Sequence, residues 1–137
     1  MKILHSGTLD SNTGGPAMST YLTLKGLCDR GVDAQIIMFP LSHGGQLRGD
    51  KVTVHYTDAP VIPKFCYSPV LKRDIQRAGV YDIYHAQGIW QYNTYAIIDI
   101  ARKAGKPYLI TPRGMLYPQD IAKSSTIFKK LSLKWRL

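Results

Sequence analysis

The chain has 137 residues and a mass of 15.4 kDa, the length of one ordinary domain, which can bury about two-thirds of the surface its unfolded form exposes. Hydrophobic residues make up 45% and charged residues 20%; this excludes intrinsic disorder and low complexity, and no apolar stretch approaches the roughly 20 residues that span a bilayer. The formal charge is +9, and all nine acids are aspartates, so any chemistry that needs a glutamate is excluded within this sequence.

In chain order, residues 2–5 read as a first strand, because the start reaches polar residues after two apolar ones and lacks the apolar centre of a signal peptide. A polar loop over residues 6–15 follows. Pro16 then sits where a first helical turn tolerates it, and Ala17, Tyr21, Leu24 and Cys28 recur at helical spacing until Gly31 caps the end. Residues 33–39 form a second strand. A loop holding Gly44, Gly45 and Gly49 leads to a third over 51–57. Residues 59–69 carry three prolines and read as an irregular excursion, after which Ser68 and Pro69 serve as cap and first position of a helix ending at Gly79. A fourth strand (82–86), a helix from about 91 to 104 closed by Gly105, and a fifth strand (108–111) complete the pattern. Apolar runs alternating with helical periods predict βαβ units: an α/β, Rossmann-like open parallel sheet with helices on both faces.

Loop residues 112–118 precede a last helix, in which Ile121, Phe128, Leu131 and Trp135 share a face. That helix has neither a capping glycine nor a following strand, so the chain is expected to belong to a longer protein. Twelve of the eighteen basic residues lie after residue 70 with only four aspartates. Such an excess suits phosphate-bearing ligands, anionic membranes or nucleic acid without choosing among them. Cys28 and Cys66 form no metal-type pair and read as packing residues in a reducing compartment, so a cytoplasmic location is expected.

In an open parallel sheet, ligands bind outside the carboxyl ends of the strands. Three signals fall there. Gly14, Gly15 and Pro16 open the first helix, where bare backbone and unpaired N–H groups can meet an anion, although a Gly-Gly turn is more often simply a loop. His85, Gln87, Gly88 and Trp90 end the fourth strand, where His85 and Trp90 divide evenly between packing and chemistry. Arg113, Gly114 and Met115 follow the fifth, where an arginine in a Pro/Gly turn is either solvated or a fork for phosphate. The pattern is not G-x-G-x-x-G and the second strand ends without a ribose-binding acid, which disfavours a nicotinamide dehydrogenase.

Taken together, Gly14-Gly15-Pro16, D-I-Y-H-A-Q-G-I-W at residues 82–90 and T-P-R-G-M-L at 111–116 resemble the amino-terminal half of a glycosyltransferase family 4 enzyme, over essentially residues 1–137. The resemblance implies an incomplete amino-terminal domain of a GT-B architecture. Its acceptor cleft would include Gln87, Gly88, Trp90, Gly114 and Met115; its loop at Gly14, Gly15 and Pro16 would approach the donor diphosphate; and a carboxy-terminal domain with paired glutamates would hold most of the nucleotide-sugar site. Many relatives carry a histidine where Gln87 or Arg113 stands here. Arginine cannot act as a base, so His85 and Arg113 remain candidates without assigned catalytic roles.

The implied activity is retaining transfer of a sugar from a nucleotide diphosphate donor, itself a substrate, to a sugar or lipid-linked acceptor, in polysaccharide or glycolipid synthesis. No metal and no cofactor are expected. The alternative is a non-catalytic nucleotide- or phosphate-binding α/β module. Nucleic-acid binding is not expected, since no reading helix or stacking motif is present. Lys123, Lys129, Lys130, Lys134 and Arg136 raise peripheral contact with anionic lipid at the inner membrane face as a secondary expectation, behind a solvated surface.

Overall fold

The computed structural model describes residues 1–41 and 45–119; Gly44 and the expected last helix, with its basic residues, lie outside them. Five strands, β1 (Lys2–Ser6), β2 (Asp33–Met38), β3 (Thr53–Tyr56), β4 (Ile83–Gln87) and β5 (Tyr108–Thr111), form one parallel sheet in the order β3-β2-β1-β4-β5. The chain winds outward from β1 in one direction and then, through β4, in the other. This reversal opens a crevice at the carboxyl ends of β1 and β4.

Helices α1 (Gly15–Asp29), α2 (Leu71–Ala78) and α3 (Tyr92–Lys103) cover both faces, as the apolar-on-both-sides strands require. On one face, Leu24 of α1 packs with Leu9 and with Ala34, Ile36 and Met38 of β2. On the other, Leu71, Ile75, Ile97 and Ile100 of α2 and α3 pack on Leu4, Ile37, Tyr84 and Ala86. Strand alternation therefore assigns His5, His85 and Gln87 to the α1 side, opposite to Leu4, Tyr84 and Ala86. β5 forms an edge, with Leu109 55% exposed. Among the described residues no helix is long and apolar enough to cross a membrane.

The glycine stops act through backbone geometry. Gly31 has φ 79°, and its N–H reaches the Cys28 carbonyl while that of Val32 reaches Leu27, the paired bonds that close a helix on a left-handed residue. Gly105, with φ 63°, repeats the arrangement after α3, where Gly105 and Lys106 donate to Arg102 and Ala101. One expectation needs correction. α2 begins at Leu71 without a side-chain cap: Ser68 instead accepts the Leu71 N–H at its carbonyl, and its hydroxyl is buried without a partner, so Ser68 and Pro69 belong to a turn before the helix. The buried stripe of α1 is Ala17, Thr20 and Leu24; Tyr21 and Cys28 flank it, partly buried. Single-turn 3₁₀ helices at Ser11–Thr13 and Pro63–Phe65 lie inside segments expected to be irregular.

Candidate functional site

A polar residue on the buried stripe of a helix must find a partner, and Thr20 finds it across the carboxyl rim of the sheet. Its hydroxyl donates to the Pro16 carbonyl at 2.8 Å and lies 3.3 Å from Arg113 Nη2. The guanidinium also donates from Nη1 to Ser19 Oγ and, at 2.8 Å, from Nε to Gln87 Oε1. One cation thus ties α1, the end of β4 and the turn after β5 together.

Arg113 reaches this position from an unusual backbone. Its φ is 53° and that of Gly114 is 79°, and the Met115 N–H donates to the Pro112 carbonyl at 3.0 Å. Positive φ at both central residues is the signature of a type I′ turn, where asparagine and glycine are usual and arginine is not. Side-chain bonds that offset such strain mark a position over-determined by its surroundings.

Gln87 is the hinge of the network. With Oε1 occupied by Arg113, its amide nitrogen faces the imidazoles and donates, over a long 3.4 Å, to His5 Nδ1. That bond leaves His5 protonated on Nε2, and this nitrogen is buried with no partner. His5 and His85 are register partners on β1 and β4, their ring centroids 4.7 Å apart. His85 also pairs through Nε2 with Thr111 Oγ1 at 2.7 Å. Burial first, then His85 and Arg113, push the His5 pKa down to about 3. Burial and then the Arg113 charge also lower that of His85. Burial lowers the Arg113 value in turn. Both imidazoles are therefore neutral near neutral pH, beside a charged guanidinium.

A second layer clamps the same turn. Trp90 Nε1 donates to the Met115 carbonyl at 3.3 Å, and a Cβ on Gly88, whose φ is 98°, would lie 3.2 Å from Met115 Cε. Thr94 Oγ1 donates to the Gly88 carbonyl at 3.0 Å. Gly14, Gly15 and Pro16 stand one turn before Ser19 and Thr20, exposed, and no atom lies within 4 Å of a Cβ built on either glycine. The α1 N-terminus has no side-chain cap; Pro16 has no N–H and Ala17 is fully buried, so the exposed backbone donor of the first turn is that of Gly15.

His85, Gln87 and Arg113 thus share one cluster, Gly88, Trp90, Gly114 and Met115 lie beside it, and the glycine start of α1 is joined to it through Pro16 and Thr20. A hollow of about 210 Å³ lies elsewhere, between Leu9 and the β2–β3 connection with Gln46 and Arg48 at its edge, below the usual size of ligand pockets. Among the described residues no cluster of histidine, cysteine and aspartate could hold a metal ion.

Sequence reasoning missed His5, Ser19 and Thr20. It also missed an aromatic group in which the Tyr92 ring lies 4.7 Å from Tyr67, 5.9 Å from Tyr95 and 6.3 Å from Phe65. The available signal was a polar residue at an apolar phase: His5 in a buried strand and Thr20 in the stripe of α1.

Gly7 probes the packing behind Gln87. A Cβ there would come within 3.0 Å of Gln87 Cγ and 3.1 Å of its Cβ, so Gly7→Ala is expected to displace Gln87 and cost about 1–3 kcal/mol. Denaturant midpoints measure this, and an unchanged midpoint would mean that Gln87 yields freely.

Residues 14–134 match the family model described as a glycosyl transferase 4-like domain. No curated protein and no solved structure shows a significant match.

Proposed function

The chain belongs to the glycosyl transferase 4-like domain family, and from that premise we propose that it is the acceptor-side, amino-terminal domain of a GT-B enzyme that transfers a sugar, with retention, from a nucleotide diphosphate donor to an acceptor hydroxyl. Membership carries a glycosyltransferase role in general terms. The finer reading is supported chiefly by one observation: the open glycine start of α1 and the Arg113–Gln87–His85 cluster stand on the same carboxyl rim, linked by Thr20. The problem in such a transfer is charge developing on the departing diphosphate, which the positive end of α1 and a fixed cation offset.

The aromatic group at Phe65, Tyr67, Tyr92 and Tyr95 stands at the start of α3 on this rim. Its ring faces suit the C–H face of an acceptor sugar. Because the sequence contains no glutamate, the paired carboxylates of the donor half come from a second Rossmann-like domain. The acceptor belongs to polysaccharide or glycolipid synthesis, the reaction needs neither metal nor cofactor, and it runs on the cytoplasmic side.

A donor screen on the enzyme carrying both halves tests this. Release of nucleoside diphosphate with one nucleotide sugar is expected, together with a product whose anomeric configuration, read by NMR, equals that of the donor. An inverted product overturns retention. Saturable nucleotide binding by this chain, with no turnover of any donor, favours the non-catalytic phosphate-binding module.

A further inference from the structure

Among the described residues five other cations have carboxylate partners, for example Lys72 with Asp99 at 2.6 Å and Lys25 with Asp29 at 2.6 Å, while arginines without one, such as Arg30 and Arg77, are exposed to water. Arg113 is the contrast. It is half-buried, yet its acceptors are Gln87 Oε1, Ser19 Oγ and Thr20 Oγ1, all neutral. A charge withdrawn from water is normally balanced by an anion.

Among the described residues, the elements around the guanidinium repeat the pattern. α1 supplies Ser19 and Thr20, β1 supplies His5, β4 supplies His85 and Gln87, and β5 supplies Thr111. None of these is an acid. Among the described residues, three of the five guanidinium N–H donors hold the group in place and two remain.

We infer that this cluster is a proton-coupled site for a phosphate-bearing group of a substrate, which accepts hydrogen bonds from the remaining Arg113 donors while His85 takes up one proton from solvent. The residues forming it define the chemistry: a fixed planar fork for the phosphate oxygens, and beside it an imidazole that becomes a second donor once an anion is near. His5 and Gln87, buried behind, hold the two in place. The glycosyl-transfer reading bears only on where the phosphate comes from, either the donor diphosphate or a phosphorylated acceptor.

The test titrates the full chain, with its histidines labelled by nitrogen-15, with inorganic pyrophosphate as the donor-like probe and glucose 6-phosphate as the acceptor-like probe. The His85 midpoint is expected to rise when one of them binds, and the tighter probe identifies the source. In Arg113→Met, binding is expected to weaken at least about tenfold, and the residual response to disappear. Arg113→Lys keeps the charge without the fork and should bind with intermediate affinity. Should Arg113→Met fail to fold, Arg113→Lys decides alone: unaltered binding there overturns the site.

An equal response in wild type and Arg113→Met, or a His85 midpoint that neither probe moves, also overturns it. Turnover of a nucleotide sugar without an Arg113-dependent response removes this inference and leaves glycosyl transfer standing. The reverse result removes glycosyl transfer and leaves the phosphate site.

Discussion

Replacing Gln87 by leucine is expected to cut kcat/KM of the complete enzyme by about a hundredfold or more, because the side chain that aims Arg113 is lost and small misplacements of a charged group are costly. The stability cost should be about 2–4 kcal/mol, since a partly buried guanidinium N–H loses its acceptor and the donor facing His5 disappears. The structural basis is the 2.8 Å bond from Arg113 Nε to Gln87 Oε1 and the 3.4 Å contact from the amide to His5 Nδ1. Gln87→Glu separates the two roles. It keeps an acceptor for Arg113 but offers no hydrogen to His5, so it should retain most of the stability while raising the His5 midpoint. Full activity in Gln87→Leu would mean that Arg113 is positioned without it.

The second large effect is acid lability above the range in which aspartates titrate. His5 has an ordinary pKa of 6.5 but is held at about 3 in the fold, so the unfolded chain binds the proton first as pH falls. Its contribution is fully present above 6.5 and drains away toward about 3. Between about pH 7 and pH 4.5 the loss should be roughly 2–3 kcal/mol from His5, and the lowered His85 adds in the same direction. Lowered aspartates such as Asp99, whose ordinary pKa is 3.8, add their loss only below that window. Urea midpoints across the interval give the slope. His5→Gln should flatten it, and a flat wild-type curve would show that His5 charges freely inside the fold.

Much of the architecture could be read from the sequence because it is locally encoded. Gly31 and Gly105 end their helices, and short apolar runs mark β1, β2 and β5, the last predicted over residues 108–111 and found at Tyr108–Thr111. Ser68 misled because a serine before a proline reads equally as a cap or as the first residue of a turn, and the local sequence does not separate the two. The site was legible as three stretches but not as a network. His85, Gln87 and Arg113 stand out in sequence, whereas His5 is just one polar residue in a strand, and its value comes from register pairing with His85. The left-handed backbone of Arg113 had no signal either, since Gly114 accounts for a turn by itself. Long-range partners, such as the pairing of Arg113 with Ser19, follow from topology, which periodicity does not specify.

The placement of β1 in the middle of the sheet also shapes how the molecule is made. β1 pairs with β2 about thirty residues on, but its other neighbour, β4, begins at Ile83. During synthesis, the newborn chain therefore exposes one hydrogen-bonding edge of its innermost ribbon until β4 has emerged. Closing so wide a loop is slow compared with local helix formation. Partial chains ending before β4 should be the species that chaperones hold and that precipitate when translation stalls.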